Sequence, residues 1–375
     1  MPVYLDFNAT TPVHPEVLEL MIHVYRSQFG NASSRTHIYG QEAKRIVDES
    51  RAKIANLLGI SPTEVVFTSG ATESNNLAIL GLEDYGRKQR KLHIISTNIE
   101  HNSILEPLKV LSRRGFDIEL CPVDSAGLID AEDLLRRVRT DTLLVTVMHA
   151  NNETGVLQPV DVIGTRLKEM GVLFHVDASQ TFGKLSKEIL SLDYDLMSIT
   201  AHKVYGPQGI GALILRHRNY VRPPLTPLLH GGGQENGLRP GTLPVALIAG
   251  FGKAAELAQL HGEKWLRQEA RIKQDVLDQL RVIKHVINGD QTHCLPNCVN
   301  VSFPGIDSEA LMLATRTEIA ISNGSACTSS KYRPSHVLEA MGALAESAVR
   351  LSWGPQIDSV DLEPIITFVR QMTQL

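Results

Sequence analysis

The residues best suited to chemistry lie in Ser198-Ile199-Thr200-Ala201-His202-Lys203-Val204-Tyr205-Gly206-Pro207. The apolar run before Thr200 reads as a buried strand, so Lys203 falls just past its end, where open α/β sheets bind ligands. A lysine desolvated in such a crevice loses its proton easily, and its free amine can form a Schiff base. Gly206, Gly209 and Gly211 follow, and without a Cβ they let the backbone approach a bound group closely. In Phe174-His175-Val176-Asp177-Ala178-Ser179-Gln180, Asp177 ends another apolar strand and aims a carboxylate at the same crevice. In Thr68-Ser69-Gly70-Ala71-Thr72-Glu73-Ser74-Asn75-Asn76, small and hydroxylated residues open a helix, which makes an anion site of free N–H groups and dipole. Taken singly, each block has an ordinary reading: a surface lysine, a turn aspartate, a capping box. Together they supply an anion loop, a carboxylate for a ring nitrogen and an amine for an aldehyde. Pyridoxal phosphate needs all three.

The elements that must position these residues alternate regularly. Short β-rich runs at Val65–Thr68, His93–Thr97, Asp117–Cys121, Leu143–Met148, Val172–Val176, Leu196–Ile199 and Ile210–Leu215 are interleaved with helical patterns around 73–86, 103–114, 130–139 and 160–170. Alternation of this length predicts an α/β domain with a large, mostly parallel, seven-stranded sheet between helices. After the Gly231-Gly232-Gly233 loop the texture changes to a long helix over 245–282, strands at 285–288 and 299–303, and a last helix near 359–374. This predicts a large domain over 15–250 and a smaller α+β domain over 251–375 joined by 1–14.

Composition excludes several classes. The chain has 375 residues, 37 Lys and Arg against 41 Asp and Glu, and a net charge of −4, so it shows no basic face for nucleic acid or an anionic membrane. No run approaches the roughly 20 apolar residues of a membrane span, and the start shows no secretion signal. Four cysteines are too few for a disulfide framework. These features read as a reduced, cytoplasmic protein. His293-Cys294-Leu295-Pro296-Asn297-Cys298 has metal-ligand types, but structural zinc wants a second pair farther along, and the segment reads better as a turn into a strand. No metal site is predicted. His14, His37 and His149 read as cap, surface or supporting residues.

Ten segments in order, YLDFNATTPVHPEV, FGNASS, FTSGATESNNLAI, IEHNS, MHANNETGVLQP, HVDASQTFGK, HKVYGPQGIGAL, HGGGQENGLRPGTLP, SNGSACTSS and AVRLSWG, span nearly the whole chain. They resemble the cysteine desulfurases of the NifS/IscS type, class V aminotransferases with the fold-type-I pyridoxal phosphate architecture. The resemblance implies that Lys203 holds the cofactor as a Schiff base, Asp177 pairs with the ring nitrogen, and Gln180 hydrogen-bonds the phenolic oxygen. It implies that His101 stacks on the ring and assists proton transfer, and that Ala71, Thr72, Thr200 and His202 bind phosphate. Asn152 and Arg350 would hold the substrate carboxylate, a natural partner for a guanidinium fork. Thr242 would reach the phosphate of a partner subunit in a homodimer. The family usually has Ser-Gly where this chain has Thr200-Ala201, which keeps the hydroxyl but narrows the backbone freedom. Cys327, in a polar loop of small residues between Ser322 and Pro334, would be the nucleophile. That loop resembles the long, flexible form, and Cys327 could also serve as a transient cluster ligand.

The expected activity is that of a sulfurtransferase: L-cysteine gives L-alanine, and sulfur passes as a Cys327 persulfide to an acceptor protein. Iron–sulfur cluster assembly, tRNA thiolation and DNA sulfur modification are the open pathways. The chain stops at Leu375, without the further segment common in housekeeping iron–sulfur relatives, which points to a specialised acceptor. The competing readings are a selenocysteine lyase or other β-lyase of the same fold, and a non-catalytic cofactor-binding regulator or scaffold.

Overall fold

The computed structural model describes residues 2–218, 221–323 and 334–373. All seven expected strands are present and form one sheet. In spatial order they are Val65–Thr68, Gly211–Leu215, Leu196–Thr200, Leu173–Asp177, Thr142–Met148, His93–Thr97 and Asp117–Cys121. Only Gly211–Leu215 runs against the others, antiparallel to both of its neighbours. Its direction follows from the chain. Few residues separate Thr200 from Gly211, and a parallel return needs a crossover of a dozen or more.

The period-two alternation of the strands sends side chains to two separate cores. Val65, Phe67, Val145, Val147, Phe174, Val176, Met197 and Ile199 pack on one face, under helices Pro15–Ser27, Ile38–Leu58 and Val160–Met170. Val66, Ile94, Leu144, Leu196 and Leu213 pack on the other, under Ala71–Leu80 and Asn102–Arg113. Thr142–Met148 and Leu196–Thr200 are buried at every position, as a sheet covered on both faces requires. Of the histidines read as cap, surface or supporting residues, His14 and His37 are helix caps: His14 accepts from the Glu16 amide and His37 from the Gly40 amide.

The 36-residue helix Val245–Leu280, roughly 50 Å long, joins the two cores. Val245, Ile248, Phe251 and Leu257 belong to the large core, whereas Ile272, Val276 and Leu280 belong to a second core built around Trp353, Val299 and Leu351. Residue 250 therefore lies inside one continuous helix, and the change of core comes between Ala258 and Ile272. The smaller unit contains an antiparallel sheet of Val286–Asn288, Cys298–Ser302 and Ala348–Ser352, with Cys298–Ser302 in the middle. The chain start joins it, because Val3–Tyr4 pairs with Ile319–Ala320. Among the described residues, no helix is long and apolar enough to cross a membrane.

Where Gly211 opens its strand, the sheet and the loop before Ala71–Leu80 meet almost without space. A Cβ at Gly211 would come within 2.6 Å of the Ile199 carbonyl oxygen and 2.7 Å of the Gly70 Cα. Backbone cannot give way as a flexible side chain does. Gly211→Ala should therefore cost about 1–3 kcal/mol, read as a lower denaturant midpoint at an unchanged slope. A midpoint equal to that of the parent would show that the two backbones are not in such contact.

Candidate active site

The six parallel strands end along one edge of the sheet, and a cavity of about 500 Å³ lies there. Ala71, Thr72, His101, Asn152, Asp177, Gln180, Thr200, His202, Lys203 and Arg350 all line it. Thr242 does not line it and is exposed, a few residues before the long helix begins. Cys327 lies outside the described residues.

Lys203 closes a single 3₁₀ turn, Ala201–Lys203, that follows strand Leu196–Thr200. Its Nζ donates to the carbonyls of Asn8 and Ala9, at 2.8 Å in the second case. Two residues on, Tyr205 is left-handed, with φ of 63°, a conformation that costs an ordinary residue about 1–2 kcal/mol. Tertiary contacts hold it there. The Tyr205 amide donates to Thr11 Oγ1 at 2.9 Å, its carbonyl accepts from the His14 amide at 2.9 Å, and its hydroxyl donates to Glu269 Oε1 at 3.3 Å. Burial pushes Glu269 up to about 7, against the pull of Lys184. The turn that presents Lys203 is thus anchored to the long helix.

Asp177 is buried at the end of its strand. Its Oδ2 accepts from Asn75 Nδ2 at 2.8 Å, and its Oδ1 accepts from the Ser179 amide at 3.0 Å and the Ser179 hydroxyl at 2.5 Å. His101 caps helix Asn102–Arg113, where its Nδ1 accepts from the Ser103 amide at 3.1 Å and lies 2.8 Å from the Ser103 hydroxyl. Burial holds His101 below the usual imidazole range, with Lys203 and His336 acting the same way and Asp177 opposing. The ring is therefore neutral near pH 7.

The loop read as an anion site leads into a helix start. Gly70 is the N-cap of Ala71–Leu80, and no side chain among the described residues caps that end. Its amide donors and the Thr72 hydroxyl are available to an anion, while the Thr200 hydroxyl lies 3.5 Å from the Ile210 carbonyl oxygen. His202 Nδ1 lies 3.2 Å from Thr10 Oγ1, and burial, reinforced by Lys203, pushes this imidazole down to about 4. Arg350 rises from strand Ala348–Ser352. Its Nη2 donates to Asp6 Oδ1 at 2.5 Å and its Nη1 to the Asn152 carbonyl at 2.9 Å, while its buried Nε has no hydrogen-bond partner among the described residues.

The sequence reading assigned no role to the N-terminal segment, yet Asn8, Ala9 and Thr10 line the cavity. Asn8 Nδ2 donates to the Asn152 carbonyl at 3.2 Å, and Gln180 Nε2 donates to the Asn8 carbonyl at 3.0 Å. Two signals pointed there: the segment YLDFNATTPVHPEV was among the ten that match, and it contains the polar run Asp6-Phe7-Asn8-Ala9-Thr10-Thr11. At His293–Cys298 the three candidate ligands turn to different partners. His293 meets Asp290, Cys294 meets Lys273, and the buried Cys298 meets the Glu153 carbonyl. Among the described residues, no three His, Cys, Asp or Glu side chains are placed to share a metal.

Residues 3–364 match the family model of class V aminotransferases. The chain belongs to this family. It is 44% identical over 357 residues to a mitochondrial cysteine desulfurase of Saccharomyces cerevisiae, covering 94% of this chain and 71% of the relative. It is 42% identical over 376 residues to the cysteine desulfurase IscS of Enterobacter sp. strain 638, covering 99% and 92%. A solved NifS-like protein, 38% identical, superposes with a TM-score of 0.89 over 100% of this chain and 99% of its own. Cysteine desulfurase is therefore the function within the family.

In this desulfurase Asn75 ties two cavity residues together. Its Nδ2 donates to Asp177 Oδ2 and to Ser103 Oγ, each at 2.8 Å. Ser103 Oγ already accepts there, so its own hydrogen goes to His101 Nδ1, and the proton of the neutral ring stays on Nε2. Ser103 is a positioning residue, and the sequence reading assigned it no role. In Ser103→Ala the donor that favours the neutral imidazole is lost, so the pKa of His101 should rise. The fold should lose only about 0.5–1.5 kcal/mol. An NMR titration of His101 that is unmoved or shifted downward would refute the relay.

Proposed function

We propose that this enzyme uses pyridoxal phosphate to take sulfur from L-cysteine, works as a homodimer, and passes the sulfur from Cys327 to an acceptor protein. The observation that carries this reading is the convergence of a buried carboxylate, an amine, a neutral imidazole and a tethered guanidinium on one cavity: Asp177, Lys203, His101 and Arg350.

The donor set fits the cofactor. Gln180 Oε1 is buried without a partner among the described residues, and its Nε2 uses one of two hydrogens on Asn8. The second hydrogen suits a phenolic oxygen. The uncapped start of Ala71–Leu80, with Thr72, Thr200 and His202, suits a phosphate. Asp177, fixed by Asn75 and Ser179, suits a protonated ring nitrogen. When bound, pyridoxal phosphate supplies the electron sink that loosens the bond between the substrate's β-carbon and sulfur.

The protein's part is placement and proton movement. Lys203 would hold the cofactor through its Nζ, and that same amine is placed to take the α-proton of the substrate. Asp177 would pair with the ring nitrogen and keep it protonated. Arg350 and Asn152 bind the substrate carboxylate, and the Nε of Arg350, without a partner among the described residues, gives it a donor to spare. The thiolate of Cys327 attacks the substrate sulfur, so an S–S bond forms as the C–S bond breaks. L-cysteine and the enzyme thiol become L-alanine and an enzyme persulfide, and no oxidant is consumed.

Three variants test the roles. Lys203→Ala should lose the cofactor absorbance, after gel filtration, and turnover together. A stable absorbance in that variant would assign the attachment to another lysine. Asp177→Ala should fold and lose on the order of 10²-fold or more in rate, and near-normal turnover would remove Asp177 from the mechanism. Cys327→Ala should stop sulfur release. Sulfur mobilised from L-cysteine at the parent rate would instead favour a lyase that needs no loop thiol.

The exposed position of Thr242, in an open glycine-rich segment, supports its reaching a partner subunit. Closed two-fold symmetry is the commonest way to build such a shared site. Thr242→Ala should weaken cofactor binding by about 1.5–3 kcal/mol. Mixed with Lys203→Ala chains and allowed to exchange, it should regain roughly half the activity per mixed dimer, because one site collects both lesions and the other none. Exchange without recovery would place the phosphate site within one chain.

A further inference from the structure

Outside the cavity, Lys273 and Cys294 make an unusual pair. Lys273 sits on the long helix Val245–Leu280 with 9% of its surface exposed. Its Nζ lies 2.8 Å from Cys294 Sγ and 3.3 Å from the Leu295 carbonyl oxygen. Sulfur is larger than oxygen, so an N–H···S hydrogen bond is longer than the roughly 2.9 Å of an N–H···O bond. The nitrogen and sulfur here are closer than hydrogen bonding asks. A single bridging oxygen atom would hold them at about this separation.

Position and reactivity point the same way. Cys121 and Cys298 are buried, and burial pushes both thiols up to about 11, which keeps them protonated and inert. Cys294 is the partly exposed one among the described free cysteines, so an oxidant can reach it. Its turn also backs the cavity wall. Cys294 bridges to Val156, the Leu295 amide donates to the Gly155 carbonyl at 2.8 Å, and the Leu157 amide donates to the His293 carbonyl at 2.9 Å. These residues adjoin Asn152 in sequence. On the helix, Lys273 lies one turn from Glu269, which holds Tyr205 beside Lys203.

We propose that Lys273 and Cys294 form a redox-modification site, where dioxygen couples the amine and the thiol through one oxygen atom into an N–O–S bridge. The step balances. One amine, one thiol and one O₂ give the bridge and one water. The N–H and S–H bonds that break supply two hydrogens to the water, while N–O and O–S bonds form. Nitrogen and sulfur give up two electrons each, and the four electrons reduce the O₂. Reduction by thiols reverses it, restoring the amine and thiol with release of water. The bridge would staple the helix that supports the Lys203 turn to the turn that supports the Asn152 loop.

The test compares the purified full-length enzyme held in air-saturated buffer with the same enzyme kept under dithiothreitol. Intact mass and peptide mapping read the result. The aerated protein should gain about 14 Da, one oxygen less two hydrogens, and should yield a peptide joining Lys273 to Cys294 that dithiothreitol separates. Lys273→Arg and Cys294→Ser should each abolish that peptide. Three results would overturn the proposal: Cys294 still fully alkylatable after aeration, a gain of about 16 Da on Cys294 alone, or a linked peptide that persists in Lys273→Arg.

Discussion

Asp177 ends a buried strand with 5% of its surface exposed, and a carboxylate in that position stays folded only if its lone pairs are satisfied. Two elements meet the demand. Ser179 supplies an amide and a hydroxyl from the turn that follows the strand, and Asn75 supplies an amide from a helix on the other side of the crevice. The helix that carries Asn75 is also the one whose uncapped start forms the anion loop, so satisfying Asp177 fixes where an anion can sit. The second hydrogen bond of Asn75, through Ser103, orients His101. One buried carboxylate thereby sets the relation between the uncapped helix start and the imidazole.

Lys203 depends on a different set of contacts. Its strand ends in a tight turn that leaves Tyr205 left-handed, and the strain is offset by the N-terminal segment and by Glu269 of the long helix. The same N-terminal segment supplies the carbonyls that receive Lys203 and the carboxylate that receives Arg350. Lys203 and Arg350 therefore share a support that comes from neither of their own strands. The long helix contributes to both cores, so one element ties the core of the small unit to the Lys203 turn. Glu269, with Lys184 buried nearby, places titratable groups at that junction.

Much of the architecture is legible in the residues because local physics dictates it. Alternating apolar strands bounded by Gly, Asp and Ser can bury both faces only in a covered sheet, and parallel strands direct their ligand sites to one edge. Lys203 and Asp177 could be singled out because each ends such a strand. The glycine run after Lys203 reads as room for a bound group, whereas Gly211 is needed for close approach of the Ile199 and Gly70 backbone. Ser103 and Asn75 were harder to assign. A serine two residues into a helix and an asparagine within one have ordinary local roles, and nothing in their spacing reveals that they meet.

The sequence by itself determined the strand set, the mostly parallel sheet, the helix starts and the types of group that face the crevice. Those follow from period, capping and turn chemistry within a few residues of chain. Tertiary structure alone decided that Asn8, Ala9 and Thr10 enter the cavity, that Asp6 receives Arg350, that Asn75 couples Asp177 to His101, and that Lys273 meets Cys294. Each of these contacts joins elements far apart in sequence, and which distant groups meet is set by how the helices and sheets pack, information that no local pattern carries.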